Sequence, residues 1–376
     1  MMDPVISDRH STQFPKVSII VLNWNGWQDT IECLESLFRL DYPSFQIILC
    51  DNASTDGSIE QIKAWAQGEV LATVRNEDLA YLTVPPVPKP ILFREFTADL
   101  KWKDISNLTP DLVLIQTGGN LGFAGGNNVG LRFALAQSDC DLAWLLNNDT
   151  IVAPDALLAL VERMRQRPDV GICGSTLLYY NEPETVQALG GSIYSRWTAR
   201  GGHLGGGTKY DRFSSHECVE SRMNYVVGAS MLVRRKFIEE VGLMSENYFL
   251  YFEEIDWATR GKGRFQLAFA PKSIVYHKEG ASIGTGRTTT LQSKTSEYYA
   301  TRNRVLFTAR FFPLALPSVI AAICLSTLHR LIHLRIGNAL VVLKACFDAA
   351  LAPSKYGQRS SSLGREQADK RGGGTK

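Results

Sequence analysis

Along the first 150 residues, short β-branched runs alternate with longer segments whose apolar positions recur every three or four residues. Lys16 to Leu22 (KVSIIVL) reads as a strand buried on both faces, in the manner of parallel sheets. Trp27 to Phe38 follows, with Ile31, Leu34, Leu37 and Phe38 at helical spacing. Phe45 to Cys50 (FQIILC) is a second strand, and Asp56 to Ala66 a second helix. Strand–helix–strand–helix alternation predicts an α/β sheet with right-handed crossovers.

Pro85, Pro86, Pro88 and Pro90 interrupt this rhythm, and 68–110 reads as a surface insertion. Strands are expected again at Asp111 to Gln116 and Asp141 to Leu146. Between them lie a glycine-rich turn, Gly118 to Gly126, and a helix reaching Gln137. Pro154 suits the first turn of the next helix. Short strands and glycine-rich loops fill Val170 to Val233, a helix is expected over Phe252 to Arg260, and Arg264 to His277 returns to strand. The pattern divides the chain into a flexible 1–15, a catalytic domain at 16–304, apolar helices at 305–351 and a disordered basic tail at 352–376.

With 40 Lys+Arg against 38 Asp+Glu, the formal net charge of +2 argues against a polyelectrolyte built for nucleic acid. The excess is local: Ser354 to Lys376 holds six basic and two acidic residues. Seven cysteines, none in a C-x-x-C pair, fit reduced thiols in the cytoplasm better than disulfides or a zinc site. Met1 to Lys16 lacks the apolar core of a signal peptide. Gly280 to Thr288 (GASIGTGRT) has one residue too many for a P-loop and no Lys.

Three polar clusters stand at strand ends: Asn23-Trp24-Asn25-Gly26, Asp51 to Asp56, and Asn147-Asn148-Asp149. Ligands of open α/β sheets bind beyond the carboxyl ends of the strands. The ordered segments VSIIVLNWNG, DNASTDGS, NLGFAGGNNVG, LLNNDT and YFEEIDWATR, spread over Lys16 to Leu306, resemble the signature of family-2 glycosyltransferases. Within that family the chain looks most like the bacterial rhamnosyltransferase branch. The resemblance implies a GT-A-type nucleotide-diphospho-sugar transferase fold, a Rossmann-like mixed sheet flanked by helices, and inversion at the anomeric carbon.

It also implies roles. Asp51 would hold the nucleobase with Asn23 and Asn25 nearby, a carboxylate being able to accept an imide N–H. Asn120, Gly122, Phe123 and Asn127 match the nucleoside-side loop, where Gly125 and Gly126 would admit the donor closely before a helix starts. Asn148 and Arg302 join the donor contacts, Arg302 as a planar cation toward the diphosphate. A hard divalent cation, Mn²⁺ or Mg²⁺, would stabilise the leaving diphosphate. The family's D-x-D stands here as Asn147-x-Asp149, so Asp149 is the firm metal ligand and Asn147 a weaker one. His277 matches a further ligand position, and an imidazole there favours Mn²⁺.

The acceptor hydroxyl needs a base, and Glu253, Glu254 and Asp256 offer three carboxylates within four residues. Helical neighbours differ by about 100°, so the three cannot face one way. Family matching selects Glu254, leaving Glu253 and Asp256 to orient the acceptor. Phe311 to Leu328 carries no charge over 18 residues, with Arg310, Arg330, Arg335 and Lys344 around it. Helices lying in the inner face of the cell membrane are expected there, suited to a polyprenyl-linked saccharide acceptor. The expected donor is dTDP-rhamnose. Alternatives are a UDP-hexose or UDP-galactofuranose donor, or a catalytically impaired sugar-nucleotide-binding protein.

Overall fold

The computed structural model describes residues 14–99, 110–210, 215–278 and 293–351. Most of the expected flexible N-terminus, the basic tail and Gly280 to Thr288 lie outside the described residues. The strands are β1 (Val17–Asn23), β2 (Phe45–Asp51), β3 (Phe93–Thr97), β4 (Leu112–Gln116), β5 (Leu142–Asn147), β6 (Thr150–Val152), β7 (Val170–Tyr179) and β8 (Glu182–Leu189). They continue as β9 (Gly191–Ser195), β10 (Arg200–His203), β11 (Tyr225–Val226), β12 (Ser230–Arg234) and β13 (Gln266–His277). The main sheet runs β3-β4-β2-β1-β5-β12-β7-β13-β6, with β8 beside β7, and β10-β9-β11 form a small second sheet.

Alternation across the pleat builds two cores. Val17, Ile19 and Val21 enter one cluster with Ile47, Leu49, Leu112, Leu114, Trp144 and Leu146. Their neighbours Ile20, Ile48, Val113, Ile115, Ala143 and Leu145 enter the other. Both faces of these strands are dry, which is why the sequence shows runs rather than alternation. Helices α1 (Trp27–Leu37), α2 (Ser58–Gln67) and α4 (Ala156–Gln166) cover the first face, and α3 (Gly122–Ala136) the second.

β1 pairs in parallel with β2 and β5, whereas β12 runs antiparallel to both β5 and β7. Two reversals restore direction, so β7 and its parallel partner β13 point the same way as β1. His277 at the end of β13 therefore reaches the same edge as Asn23, Asp51 and Asn147. The topology collects strand ends that lie 254 positions apart.

Two expectations change. The stretch 68–110 is not only surface: β3 extends the sheet as an edge strand parallel to β4, and Leu79 and Leu82 pack with Ile151 and Tyr180. Gly118 and Gly119 precede the helix as expected, but Gly125 and Gly126 lie inside it. A Cβ at Gly126 would sit 2.4 Å from Leu22 Cδ1, and one at Gly130 2.6 Å from Ile20 Cγ2. Gly125, Gly126 and Gly130 therefore serve close packing within α3 and against β1.

After the short helices α5 (His216–Glu220) and α6 (Arg235–Val241) comes the acidic helix α7 (Glu253–Gly261). α8 (Lys294–Phe311), α9 (Leu316–Ile332) and α10 (Ile336–Leu351) close the chain. Phe307, Val319, Ile323 and Val342 join Tyr248 and Ile255 in a third cluster, fastening these helices to the segment around α7. α8 crosses the expected domain boundary at 304/305 without a break.

Candidate active site

Asn23 is fully buried, and its amide is hydrogen-bonded on every side. Nδ2 donates to Asp51 Oδ1 at 2.7 Å and Ser54 Oγ at 3.1 Å. Oδ1 accepts from Thr30 Oγ1 at 2.8 Å and Asn148 Nδ2 at 3.2 Å. Asn23 thus ties together three strand ends. Asn148, also buried, donates further to Thr30 Oγ1 at 3.0 Å and belongs to the same brace.

The turn after β2 wraps the Asp51 carboxylate: the Ser54 N–H donates to Oδ2 at 2.9 Å and Ser54 Oγ to Oδ1 at 2.6 Å. Exposed Asn25 ties this turn to β1, accepting from the Thr55 N–H at 2.7 Å and donating from its own N–H to Ser54 Oγ. Asn52, given no role of its own from sequence, links the turn to the glycine-rich loop. Its Nδ2 donates to Asn120 Oδ1 at 3.0 Å, and its Oδ1 accepts from the Leu121 N–H at 3.0 Å.

Gly122 has φ +71°, and a Cβ there would meet Phe249 O at 2.3 Å. Only glycine fits this left-handed, crowded position. The Phe123 N–H donates to the same Phe249 oxygen at 2.8 Å, pinning the Asn120–Phe123 loop to the segment before α7. Asn127 is buried within α3 and bonds back to Phe123 O at 2.9 Å, so it supports the loop from inside the helix. That replaces its expected donor contact.

At the other end of the edge, His277 Nε2 lies 3.2 Å from Asp149 Oδ1 and 3.4 Å from Asn147 Nδ2. Its Nδ1 is 2.8 Å from Gln187 Oε1. Both ring nitrogens therefore face an acceptor: a proton on Nε2 donates to Asp149, and one on Nδ1 donates to Gln187 and leaves Nε2 available as a ligand beside Asp149. Burial pushes the Asp149 carboxyl up, yet the adjoining His277 and Lys278 outweigh it and hold the group below its ordinary range. Among the described residues, no group of three or more His, Cys, Asp or Glu is arranged around a metal. The Asp149–His277 pair suits a hard cation that takes its remaining ligands from diphosphate oxygens and water.

The three acids of α7 have different surroundings. Asp256 is fully buried and accepts from Arg260 Nε at 2.6 Å, Tyr248 Oη at 2.9 Å and Arg310 Nη1 at 2.9 Å. It anchors α7 to α8. Glu253 is also fully buried, and neither carboxylate oxygen has a hydrogen-bond partner. Burial, then the neighbouring Glu254, push its pKa well above the ordinary carboxyl range. Glu254 is partly exposed, with its carboxylate against Gly228, and burial raises its pKa too. Gly228 drew no attention in the sequence. Its neighbour Ala229 accepts from the Asn147 N–H at 3.1 Å, which brings Glu254 to the metal end of the edge.

α7 is preceded by non-glycine residues with positive φ at Phe249 (+67°), Tyr251 (+67°) and Phe252 (+76°). Asn303 clamps this strained turn, donating from Nδ2 to the carbonyls of Tyr248, Leu250 and Tyr251 at 2.8–3.1 Å. Arg302 Nη1 is engaged by Asn247 O and Asn303 Oδ1, both at 3.0 Å.

A mixed sheet covered by helices on both faces, gathering an aspartate, an Asp/His pair and an acidic helix at its carboxyl edge, has the GT-A-type fold. GalNAc-T7, solved with UDP, GalNAc and Mn²⁺, has the same fold: TM-score 0.50, 14% identity, 79% of this chain and 48% of that one covered. The pattern of "Glycosyl transferase family 2" matches residues 18–81 and 101–242, more than half of the chain. The chain belongs to that family. It is 25% identical over 197 residues to an N-acetylglucosaminyl-diphospho-decaprenol L-rhamnosyltransferase of Mycobacterium tuberculosis, covering 46% of this chain and 61% of the relative. It is 24% identical over 152 residues to the low-salt glycan biosynthesis hexosyltransferase Agl10 of Haloferax volcanii, covering 40% and 47%. The matches thus span about half the length of these curated relatives.

Proposed function

We propose that this enzyme transfers a sugar, with inversion, from a nucleotide-diphospho-sugar to a hydroxyl of a lipid-linked saccharide in cell-surface polysaccharide synthesis. The carrying observation is the continuous chain of contacts from Asp51 through Asn23 and Asn148, then Asn147, Ala229 and Gly228, to Glu254. Asp51 receives the nucleobase at one end. Asp149 and His277, with Asn147 beside them, would hold Mn²⁺ or Mg²⁺ near the other. When bound, the ion supplies positive charge against the leaving diphosphate.

Glu254 accepts the proton of the acceptor hydroxyl as its oxygen bonds to the anomeric carbon from the face opposite the diphosphate. The carbon–oxygen bond to the donor breaks with its electron pair on the diphosphate. Burial supports this role, because a carboxylate with a raised pKa is the stronger base. Glu254 is also the partly exposed member of the acidic trio, with Glu253 behind it and Asp256 fixing the helix.

The mycobacterial relative supports a rhamnosyl donor, dTDP-rhamnose, and a prenyl-diphosphate-linked acceptor. The archaeal hexosyltransferase is the observation favouring a second reading, a UDP-hexose donor on the same site. Membrane attachment is supported by Pro313–Ile332, long and apolar enough to cross a membrane by length and composition. Leu314, Leu325, Leu328, Leu340, Leu343 and Phe347 are also exposed on the closing helices. An inner-leaflet, cytoplasmic position follows for an enzyme that uses nucleotide-sugars. The test is release of nucleoside diphosphate from dTDP-rhamnose and from UDP-sugars with Mn²⁺. Turnover of dTDP-rhamnose supports the first reading, turnover of UDP-hexose the second, and turnover of neither overturns both.

A further inference from the structure

A cleft of about 660 Å³ lies away from the strand ends, between α8, α9, α10 and the small sheet. Arg200, His329, Arg330 and Arg335 line it together with Ala322 and Leu325. Its one carboxylate is Glu297, which pairs with Arg330 and accepts from Asn338 Nδ2 at 2.5 Å. Among the described residues Arg200 and Arg335 make no ion pair with an acid, so the cleft keeps an excess of two positive charges. A further guanidinium, Arg304, lies close enough to Arg200 and Arg330 to feel their repulsion, and its Nε is buried with no partner. Like charges gathered at this density favour a multivalent anion.

The surroundings are apolar. Leu325 is 69% exposed, and Leu328, Leu331 and Ile332 continue along α9. The cleft is also near the chemistry: Glu297 and Asn303 sit six positions apart on α8, about 9 Å along the helix. Asn303 holds the turn that starts the acidic helix. A cationic cleft opening onto an apolar helix face, and one to two helical turns from the turn leading to Glu254, fits one kind of ligand.

We propose that this cleft binds the diphosphate head of the acceptor's lipid carrier, with its apolar chain lying along α9. This rests on the lipid-linked acceptor proposed above. Diphosphate oxygens accept from Arg200, Arg330 and Arg335, and the attached saccharide extends past α8 toward Glu254.

The experiment measures binding of farnesyl diphosphate to the full-length protein, beside farnesol, inorganic pyrophosphate and phosphatidylglycerol vesicles. Saturable binding of farnesyl diphosphate is expected, with at least about tenfold weaker binding of farnesol and pyrophosphate. Arg335→Ala and Arg200→Ala change exposed residues, and each should weaken binding about tenfold, whereas Arg335→Lys should recover part of it. Pyrophosphate binding as tightly as farnesyl diphosphate would overturn the proposal. So would arginine-dependent vesicle binding without farnesyl diphosphate binding, or full affinity in both alanine variants. Nucleoside diphosphate release from the donor, assayed separately, reports on the transferase reading. Its failure alongside intact farnesyl diphosphate binding condemns that reading and not the cleft.

Discussion

His277 Nε2 stands 3.2 Å from Asp149 Oδ1, joining the end of β13 to the turn that follows β5. The relationship depends on a third residue. Gln187, on β8 and 90 positions before His277, faces Nδ1 at 2.8 Å, where its amide oxygen can accept the ring proton and leave Nε2 free for a cation. Gln187→Leu, which keeps the volume and removes the acceptor, is expected to weaken Mn²⁺ binding about 10- to 100-fold. Asp149→Ala should abolish metal-dependent nucleoside diphosphate binding. Titration calorimetry with Mn²⁺ checks both, and an unchanged affinity in Gln187→Leu would show that the tautomer is set elsewhere.

Glu254→Gln is expected to retain Mn²⁺-dependent donor binding and to lose transfer by about 10²–10⁴-fold. The wild-type rate should also carry the signature of this base. Burial raises the Glu254 pKa, so the ionised, active form is lost on acidification at a pH above the ordinary glutamate range. A profile of kcat/KM from pH 4.5 to 9 should show an acid limb there. A flat profile down to pH 4.5 would remove Glu254 from the role.

Glu253 makes the opposite case. Its carboxyl is buried without partners and its pKa is raised, so the folded state disfavours the charge. For an acid whose folded pKa lies above its unfolded value, stability is greatest below the unfolded pKa and falls as pH rises toward the folded one. Glu253→Gln should therefore be more stable than wild type at pH 8, with a smaller advantage at pH 5. Urea midpoints at the two pH values test this, and a destabilised variant at pH 8 would mean the charged form has a partner.

How much of this was legible follows from where each contact comes from. β1, β2, β4 and β5 were readable because strands buried on both faces leave unbroken apolar runs, and the polar residues ending them marked the site edge. Asp51 and Asp149 stand at those ends, and His277 ends the later strand β13. Gly125 and Gly126 were misread as a turn because glycine suits a loop and a tight helix–strand contact equally well, and only Leu22 across the interface decides. Strand-end polarity does not say whether an amide such as that of Asn23 faces outward or into a brace. Gln187 and Gly228 carried no local signal: each acts through a partner 90 or 26 positions away that topology alone brings close. The acidic trio needed burial to tell its members apart.

Asn303 holds three carbonyls of a strained turn. Asn303→Ala leaves buried acceptors without donors next to Phe249, Tyr251 and Phe252, each held at positive φ. A loss of about 2 kcal/mol or more is expected from chemical unfolding. Released from the clamp, α7 should also start less regularly and kcat should fall more than donor KM rises. Equal stability would assign the turn's strain to other supports, such as the Phe249–Tyr299 stack at 4.8 Å.

Gly228→Ala is the sharpest probe of base placement, because it adds one carbon and touches no charge. A Cβ at this position would lie 2.3 Å from Glu254 Oε1 and 3.1 Å from its Cδ. The carboxylate is the far end of a flexible side chain, so it can swing away and the fold should survive. The base then leaves its place, and a displacement of about 1 Å at the reacting groups costs roughly 10²-fold in rate. The expected variant is folded, binds donor and Mn²⁺ as wild type does, and transfers about 10²-fold more slowly. Combining Gly228→Ala with Glu254→Gln should then add no further loss, since both changes remove the same carboxylate from the acceptor. Additive losses would mean that Gly228 acts on transfer by another route, and the base would have to be sought elsewhere.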